Sequence, residues 1–357
     1  MLTSIASSEA DFSEALAQRV CEASAAGGSL RIVGGDTKAF YGRPVDATPL
    51  AVAGHRGVVD YEPSELVITA RAGTPVNDIE ALLAAHGQML AFEPPVFSPA
   101  GTIGGAVAAG LSGPARPFAG AVRDFVLGVK LLDGRGRVLR LGGTVFKNVA
   151  GFDGFRLMAG ALGCLGVLLE VSLRVPPRPS EEVCLAFDED WAAACARLTG
   201  LMRRALPLNG AFHDAGRLYV RLRGPPAAVG AAARAIGGEI APAVLFDAIR
   251  HMTHPLLAAP RLWRLSVPHA APVRALSGRW LIDWAGAQRW LVTDEPGERV
   301  RIAAVAVGGH ATLFRGAEPG EAVFSPLPRP LLELHQRLKR AFDPAGVFNP
   351  GRMFEGL

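Results

Sequence analysis

"RIVGGDTK", Arg31 to Lys38, sets two glycines and a short polar triplet directly behind an apolar run. The run reads as a buried strand and the glycines as the turn that ends it. The turn is either an ordinary strand-to-loop connection or a nest. In the second reading Gly34 and Gly35 let backbone N–H groups and the Thr37 hydroxyl close on an anion such as phosphate. The spacing is neither GxGxxG nor GxxxxGK[ST], so neither a Rossmann nor a P-loop site is supported.

Two further glycine clusters follow. "SPAGTIGGAVAAGLSGP" (Ser98 to Pro114) is too glycine-dense for a stable helix and too apolar for a solvent loop, so something large should press against its backbone. "KNVAGFDGFRLMAGALGCLGVLLEVSLRV" places Gly160, Gly163 and Gly166 ahead of a strand, which again suits close approach of a planar or phosphorylated ligand.

Around the clusters, "SEADFSEALAQRVCEASAAG" carries helix start signals, helical spacing and a Gly27-Gly28 stop, and "TPVNDIEALL" starts a helix at a Thr-Pro cap. "VRDFVLGVKLLDGRGRVLRLGG" reads as a hairpin turning at Asp133-Gly134. Prolines and charges in "LRVPPRPSEE" mark a linker. Beyond it, strand and helix signals alternate, with "GRWLIDWAG" and "VRIAAVAVGGHATLFRG" adding strands, which predicts an antiparallel sheet backed by helices. "RPLLELHQRLKRAF" is an amphipathic helix before a turn-rich tail that should return to the first domain. The boundaries fall at residues 1–175, 176–330 and 331–357.

Composition sets the limits. The chain has 357 residues, half of them hydrophobic, enough for one large or two modest cores. The net charge of +4 is scattered along the chain, and no basic patch with interleaved aromatics points to nucleic acid. Cys21, Cys164, Cys184 and Cys195 lack CxxC spacing, which argues against zinc, iron–sulfur ligation and a disulfide framework. The first twenty residues carry acids and no basic n-region, and no apolar run approaches bilayer length. A cytoplasmic protein is expected, with docking on a membrane protein left open.

The three clusters, in this order, resemble the FAD-binding domain shared by vanillyl-alcohol oxidase and p-cresol methylhydroxylase (the PCMH type). "GGDTK", "GTIGG" (Gly101 to Gly105) and "RDFVLGVKLLDG" (Arg123 to Gly134) match its pyrophosphate loop, flavin-lining segment and hairpin. "KNVAGFDGFRLMAGALGCLGVLLEV" and "FDPAGVFNPGRM" are similar to segments of flavin-dependent D-lactate and D-2-hydroxyglutarate dehydrogenases. Within that family the runs "GHRGVVDYEPSELVITARAGTP", "FEPP", "GLSGPARPFAGAVRDFVLG", "FKNVAG", "GGHATLFRG" and "HQRLKRAFDPAGVFNPGRMF" look like the FAD-binding subunits of bacterial glycolate oxidases.

The resemblance implies an α+β fold: a PCMH-type FAD-binding domain of two α+β subdomains, with a smaller ferredoxin-like α+β cap domain. It implies FAD, a 2-hydroxy acid such as glycolate as substrate, and two partners, a second FAD-containing catalytic subunit and an iron–sulfur subunit. Carried onto this sequence, Gly34, Gly35, Asp36, Thr37 and Lys38 would cradle the pyrophosphate. Gly101, Thr102, Gly104, Gly105, Gly110, Ser112 and Gly113 would line the flavin. Gly163, Leu165, Gly166 and Val167 would meet the adenine-nucleotide part or ribityl chain, Asn349 would approach the ring, and Asp124 is either a further contact or a turn residue. Some relatives bond flavin covalently through a histidine where this chain has Asp36, so non-covalent FAD is expected. The family's "GSEGTLG" is "GALGCLG" here, with Ala161 and Leu162 replacing the polar pair.

Oxidising a 2-hydroxy acid on flavin needs a base for the hydroxyl proton and a cation for the carboxylate. The histidine motif that serves the D-lactate relatives is absent. "HMTH" (His251, His254) has helical spacing without a placed third ligand and reads as two surface histidines, with no metal. His310 and Arg315 are the better candidates for base and clamp, against a structural histidine and a surface arginine. The missing motif favours a subunit that holds FAD and either relays electrons to its partners or stabilises the catalytic subunit, over a self-sufficient dehydrogenase. An FAD-free assembly module is the third reading.

Overall fold

The computed structural model describes residues 11–143, 153–272, 276–318 and 320–357. The "KNVAG" part of the third cluster therefore lies outside the described residues. The chain divides into two compact units, one built from the chain up to Leu111, Ala121–Pro177 and Pro326–Leu357, the other from Ser112–Gly120 and Arg178–Ser325. The sequence places the domain change at residue 175 and the end of the cap at 330, whereas the units divide at Pro177 and Ser325. It gave no hint that 112–120 leaves the first unit.

In the first unit, β1 (Leu30–Val33) and β2 (Thr48–Ala51) run parallel. Phe348 of the tail bridges Leu30 in parallel and extends this small sheet. An antiparallel sheet has the order β3-β4-β7-β5-β6, with β3 (Val58–Glu62), β4 (Val67–Arg71), β5 (Val126–Leu132), β6 (Val138–Gly142) and β7 (Val167–Arg174). The central strands are the near-continuous apolar runs "VITAR", "VLGVKLL" and "VLLEVSLR", as burial on both faces requires, whereas β6 alternates at the edge. Polar exceptions in the centre pair across strands. Thr69 meets Ser172 at 2.8 Å, and the Lys130 ammonium reaches the Glu170 carboxylate at 3.0 Å.

The β5–β6 turn is longer than the Asp-Gly pair predicts. Residues 133–137 form it, the left-handed position is Gly136 (φ 73°), and the buried Asp133 carboxylate accepts the amides of Arg135 and Arg137. Gly134 is needed for packing, since a Cβ there would fall 2.3 Å from the Asp343 carboxylate. The Val76–Ala85 helix is entered through Pro75. Thr74 does not cap it, because its hydroxyl is taken up by Gly57 and Arg71.

The second glycine cluster corrects one expectation: Ile103–Ala109 is an α-helix. The Thr102 hydroxyl caps it by accepting the Gly105 amide at 3.2 Å, and Ile103, Gly104, Ala106 and Val107 are buried. Tertiary packing outweighs the low helix propensity of glycine, because the missing side chain is what permits contact. A Cβ on Gly104 would sit 2.5 Å from that of Ala72.

The second unit is one eight-stranded antiparallel sheet in the order β11-β8-β10-β9-β13-β14-β12-β15. Its strands are β8 (Glu181–Asp188), β9 (Leu208–Asp214), β10 (Arg217–Gly224), β11 (Glu239–Ala241), β12 (Leu262–Ser266), β13 (Arg279–Asp283), β14 (Gln288–Val292) and β15 (His310–Arg315). The first four, with helices Trp191–Met202 and Pro226–Ile236, follow the βαββαβ ferredoxin-like path in the spatial order 4-1-3-2. The last four repeat that order in reverse, so the expected ferredoxin-like unit occurs twice, joined through β9 and β13. Each half has its own apolar core, one around Leu185, Leu198, Val220 and Val229, the other around Trp263, Leu265, Leu291 and Leu313. The run "VRIAAVAV" is not a strand. Val300 to Val305 belongs to the Gly297–Val305 helix, which buries Val300 and Ala304, spaced i and i+4. Among the described residues no helix is long and apolar enough to cross a membrane.

Candidate functional site

The first unit contains a groove with two adjoining lobes that open to solvent. Ile32, Gly34, Thr102, Gly105, Ala108, Leu162 and Asn349 border both. β1 ends at its floor. A Cβ on Gly35 would lie 1.6 Å from the Ala100 carbonyl, and one on Gly34 would lie 2.7 Å from the Thr102 hydroxyl. The two glycines therefore let the turn press onto the segment that enters the Ile103–Ala109 helix.

Asp36 then takes a left-handed conformation (φ 53°), which aspartate tolerates better than most residues. Among the described residues, the amides of Gly35, Asp36, Thr37 and Lys38 donate to no protein acceptor. Consecutive undonated amides beside a left-handed residue make an anion nest.

The far wall is the 160–166 segment, fixed to the helix when Gly160 and Leu162 donate to the carbonyls of Val107 and Ala108 at 3.0 and 2.9 Å. Asn349 closes the groove from the tail. Its Oδ1 accepts the Ile32 amide at 2.9 Å, its Nδ2 donates to the Leu162 carbonyl at 2.7 Å, and its own amide donates to Leu30. The side-chain amide is thus committed to backbone, and Asn349 positions the two walls.

The lobes differ in character. One is apolar, with Val52, Ala72, Met158, Leu165 and Leu168 among its lining. The other gathers Arg31, Lys38 and Arg352 around a single carboxylate, Asp36, whose partner is Arg31 at 3.0 Å. Arg352 is spent on structure, donating to the carbonyls of Arg43, Lys38, Ala39 and Tyr41 and so holding the loop in place. The Lys38 ammonium has no hydrogen bond or ion pair among the described residues and lies 5.5 Å from the centre of the Phe97 ring. Burial pushes its pKa down to about 8. A desolvated cation next to free amides fits an anion, and a cationic lobe continuing into an apolar one fits a dinucleotide with a flat ring.

Of the residues named from sequence, Gly34 to Lys38, Thr102, Gly104, Gly105, Gly163, Leu165, Gly166 and Asn349 line the groove. Gly101, Gly110 and Val167 lie in its supporting structure. Gly110 ends the helix with φ 66°, against Gly160. Asp124 lines neither lobe and instead accepts the Ala121 amide at 2.8 Å, opening a short helix. Ser112 and Gly113 belong to the second unit, where the Gly113 carbonyl accepts the Trp284 indole N–H at 3.0 Å.

His310 and Arg315 occupy the two ends of β15, roughly 16 Å apart at strand spacing, so the strand does not bring base and clamp together. Arg315 donates to the carbonyls of Leu257 and Ala259. His251 ends the Val244–Arg250 helix, and His254 Nε2 lies 3.4 Å from the Asp214 carboxylate. Both are partly exposed. No group of three metal ligands exists among the described residues.

The sequence reading missed Arg352 and a buried pair behind the groove. Lys339 Nζ donates to Asp343 at 2.7 Å and to the carbonyls of Cys164 and Phe348, while Asp343 accepts the amides of Val347 and Phe348. The only available signal was i, i+4 spacing on a helix that otherwise reads as solvated.

This groove and its β1 nest define an FAD-binding protein of the PCMH type. Residues 8–142 match the family model described as an FAD binding domain, and FAD is the cofactor. The chain is 45% identical over 350 residues to "Glycolate oxidase subunit GlcE" of Escherichia coli (strain K12), covering 98% of this chain and 99% of that one. The chain belongs to this family of glycolate oxidase FAD-binding subunits. "Glycolate oxidase subunit GlcD" of Bacillus subtilis (strain 168) is 28% identical over 46% of this chain and 35% of its own length. "D-2-hydroxyglutarate dehydrogenase" of Xanthomonas citri pv. viticola is 34% identical over 36% of this chain and 28% of its own length. An alkyldihydroxyacetonephosphate synthase structure shares the fold, with a TM-score of 0.65 at 14% identity over 94% of this chain and 75% of that one.

Proposed function

We propose that this chain is the subunit of a glycolate oxidase complex that holds FAD non-covalently and supports oxidation of glycolate or a similar 2-hydroxy acid to the 2-oxo acid. The observation that carries the site is the juxtaposition of undonated amides at Gly35 to Lys38 with a half-buried Lys38 ammonium that has no hydrogen bond or ion pair among the described residues. Amides and ammonium would hold the pyrophosphate, and Arg352 keeps the loop that carries them in place. The apolar lobe would receive a planar part of the cofactor, with Asn349 tying its two walls together. Bound FAD supplies the hydride acceptor.

Glycolate as substrate rests on the full-length likeness to the Escherichia coli subunit, and the shorter matches to GlcD and D-2-hydroxyglutarate dehydrogenase favour 2-hydroxy acids as the class. The partners in this reading are a second FAD-containing catalytic subunit and an iron–sulfur subunit, on the cytoplasmic side of the membrane. An electron-relay role is favoured over turnover on this chain alone, because the described groove lining contains no histidine and its one carboxylate is paired with Arg31. The test is anaerobic mixing of the flavin-loaded chain with glycolate, alone and then with the other subunits. Flavin that stays oxidised until they are added supports the relay. Bleaching of the chain alone gives it turnover of its own and makes His310 and Arg315 the first residues to substitute.

A further inference from the structure

Lys38 is the one cation of the lobe whose charge has no hydrogen bond or ion pair among the described residues. Asp36 is held by Arg31 at 3.0 Å, and Arg352 is spread over four carbonyls, one of them that of Lys38 itself. Thr37 and Ala39 beside it in the lobe, Tyr41, which donates its amide to the Lys38 carbonyl, and the Phe97 ring are not carboxylates. The lobe thus holds three cations against one acid, an excess that matches the two negative charges of a diphosphate bridge.

Resting on the FAD reading above, we infer that Lys38 takes up a proton when FAD binds and that this subunit releases its flavin as the medium becomes alkaline. In the free groove the ammonium is desolvated, which favours the neutral amine, and burial brings its titration to about 8. A diphosphate set among the neighbouring amides supplies the missing negative charge and favours the ammonium. By linkage, a site that is protonated when filled and partly neutral when empty binds more weakly above the free pKa, by up to tenfold per pH unit.

The experiment is FAD titration of the full chain, followed by quenching of flavin fluorescence, between pH 6.5 and 9.0. The wild-type dissociation constant should rise about tenfold from pH 7 to pH 9. Lys38→Arg, whose guanidinium stays charged throughout, should bind nearly independently of pH. Lys38→Met should bind more weakly at pH 7, also with little dependence on pH. Circular dichroism on each variant separates lost binding from lost fold. A wild-type constant flat across this range, or the same rise in Lys38→Met or Lys38→Arg, would overturn the inference while leaving FAD binding intact. Absence of any FAD binding by the folded wild-type chain would overturn the flavin reading itself.

Discussion

The side-chain oxygen of Asn349 accepts a 2.9 Å hydrogen bond from the amide of Ile32, 317 positions away in the chain. The same residue's Nδ2 ties down the Leu162 carbonyl at 2.7 Å, so one buried amide spans the strand that leads into the Gly34–Gly35 turn and the loop that faces it. Asn349→Ala would leave both backbone groups without partners, at a cost of about 2–4 kcal/mol. Thermal denaturation should show that loss, and the variant should retain less flavin through purification. A variant with wild-type stability would mean that water replaces both bonds.

The Lys339–Asp343 pair sits behind the same tail, with the Asp343 side chain fully buried. Removing one partner leaves an uncompensated buried charge, so Lys339→Met should cost roughly 3–5 kcal/mol by urea denaturation. The double replacement Lys339→Met with Asp343→Leu should recover part of that loss. No recovery would show that the amides of Val347 and Phe348, which Asp343 accepts, matter more than the charge pair.

Gly35→Ala sets a Cβ 1.6 Å from the Ala100 carbonyl, a backbone atom that no side-chain rotation removes. The expected outcome is loss of flavin binding with a lowered melting temperature. Gly200→Ala is the control. It lies in the Trp191–Met202 helix with nothing within 4 Å of the added methyl, and should gain up to about 1 kcal/mol.

How far the sequence could be read follows from these residues. Gly34, Gly35 and the Asp133-Gly134 turn were visible because glycine marks close approach and turns whatever lies around it. The Ile103–Ala109 helix was not visible, since its stability comes from Thr102 and from Ala72, which lies thirty residues earlier. Arg352 and Lys339 were missed for a related reason. Both act by donating to carbonyls, and a carbonyl leaves no mark in a sequence. The doubled ferredoxin-like order was hidden because the connection between β12 and β13 shows no helix among the described residues, breaking the strand–helix alternation.

His55 is fully buried, and its Nδ1 accepts the Phe12 amide at 3.1 Å. Burial, ahead of the attraction of Asp11, holds the imidazole below its usual pKa near 6.5, and Arg71 acts in the same direction as burial. As pH falls below 6.5 the unfolded chain takes the proton first, so folding stability must fall, by up to about 1.4 kcal/mol per pH unit. The urea midpoint should therefore drop between pH 7.0 and 5.5 in the wild type, and drop less in His55→Leu. Asp11 does not interfere, because its own pKa is lowered from 3.8, chiefly by Ser13, whose amide donates to its carboxylate at 2.9 Å, and acts below that window. An equal drop in both proteins would remove His55 from the account.

The most direct test of the central claim is the flavin content of this chain purified alone. The account predicts FAD, not FMN, near one molecule per chain, freed intact by acid precipitation as a non-covalent cofactor must be. A folded chain that carries no flavin and takes up none on addition would contradict it and leave an assembly module in its place.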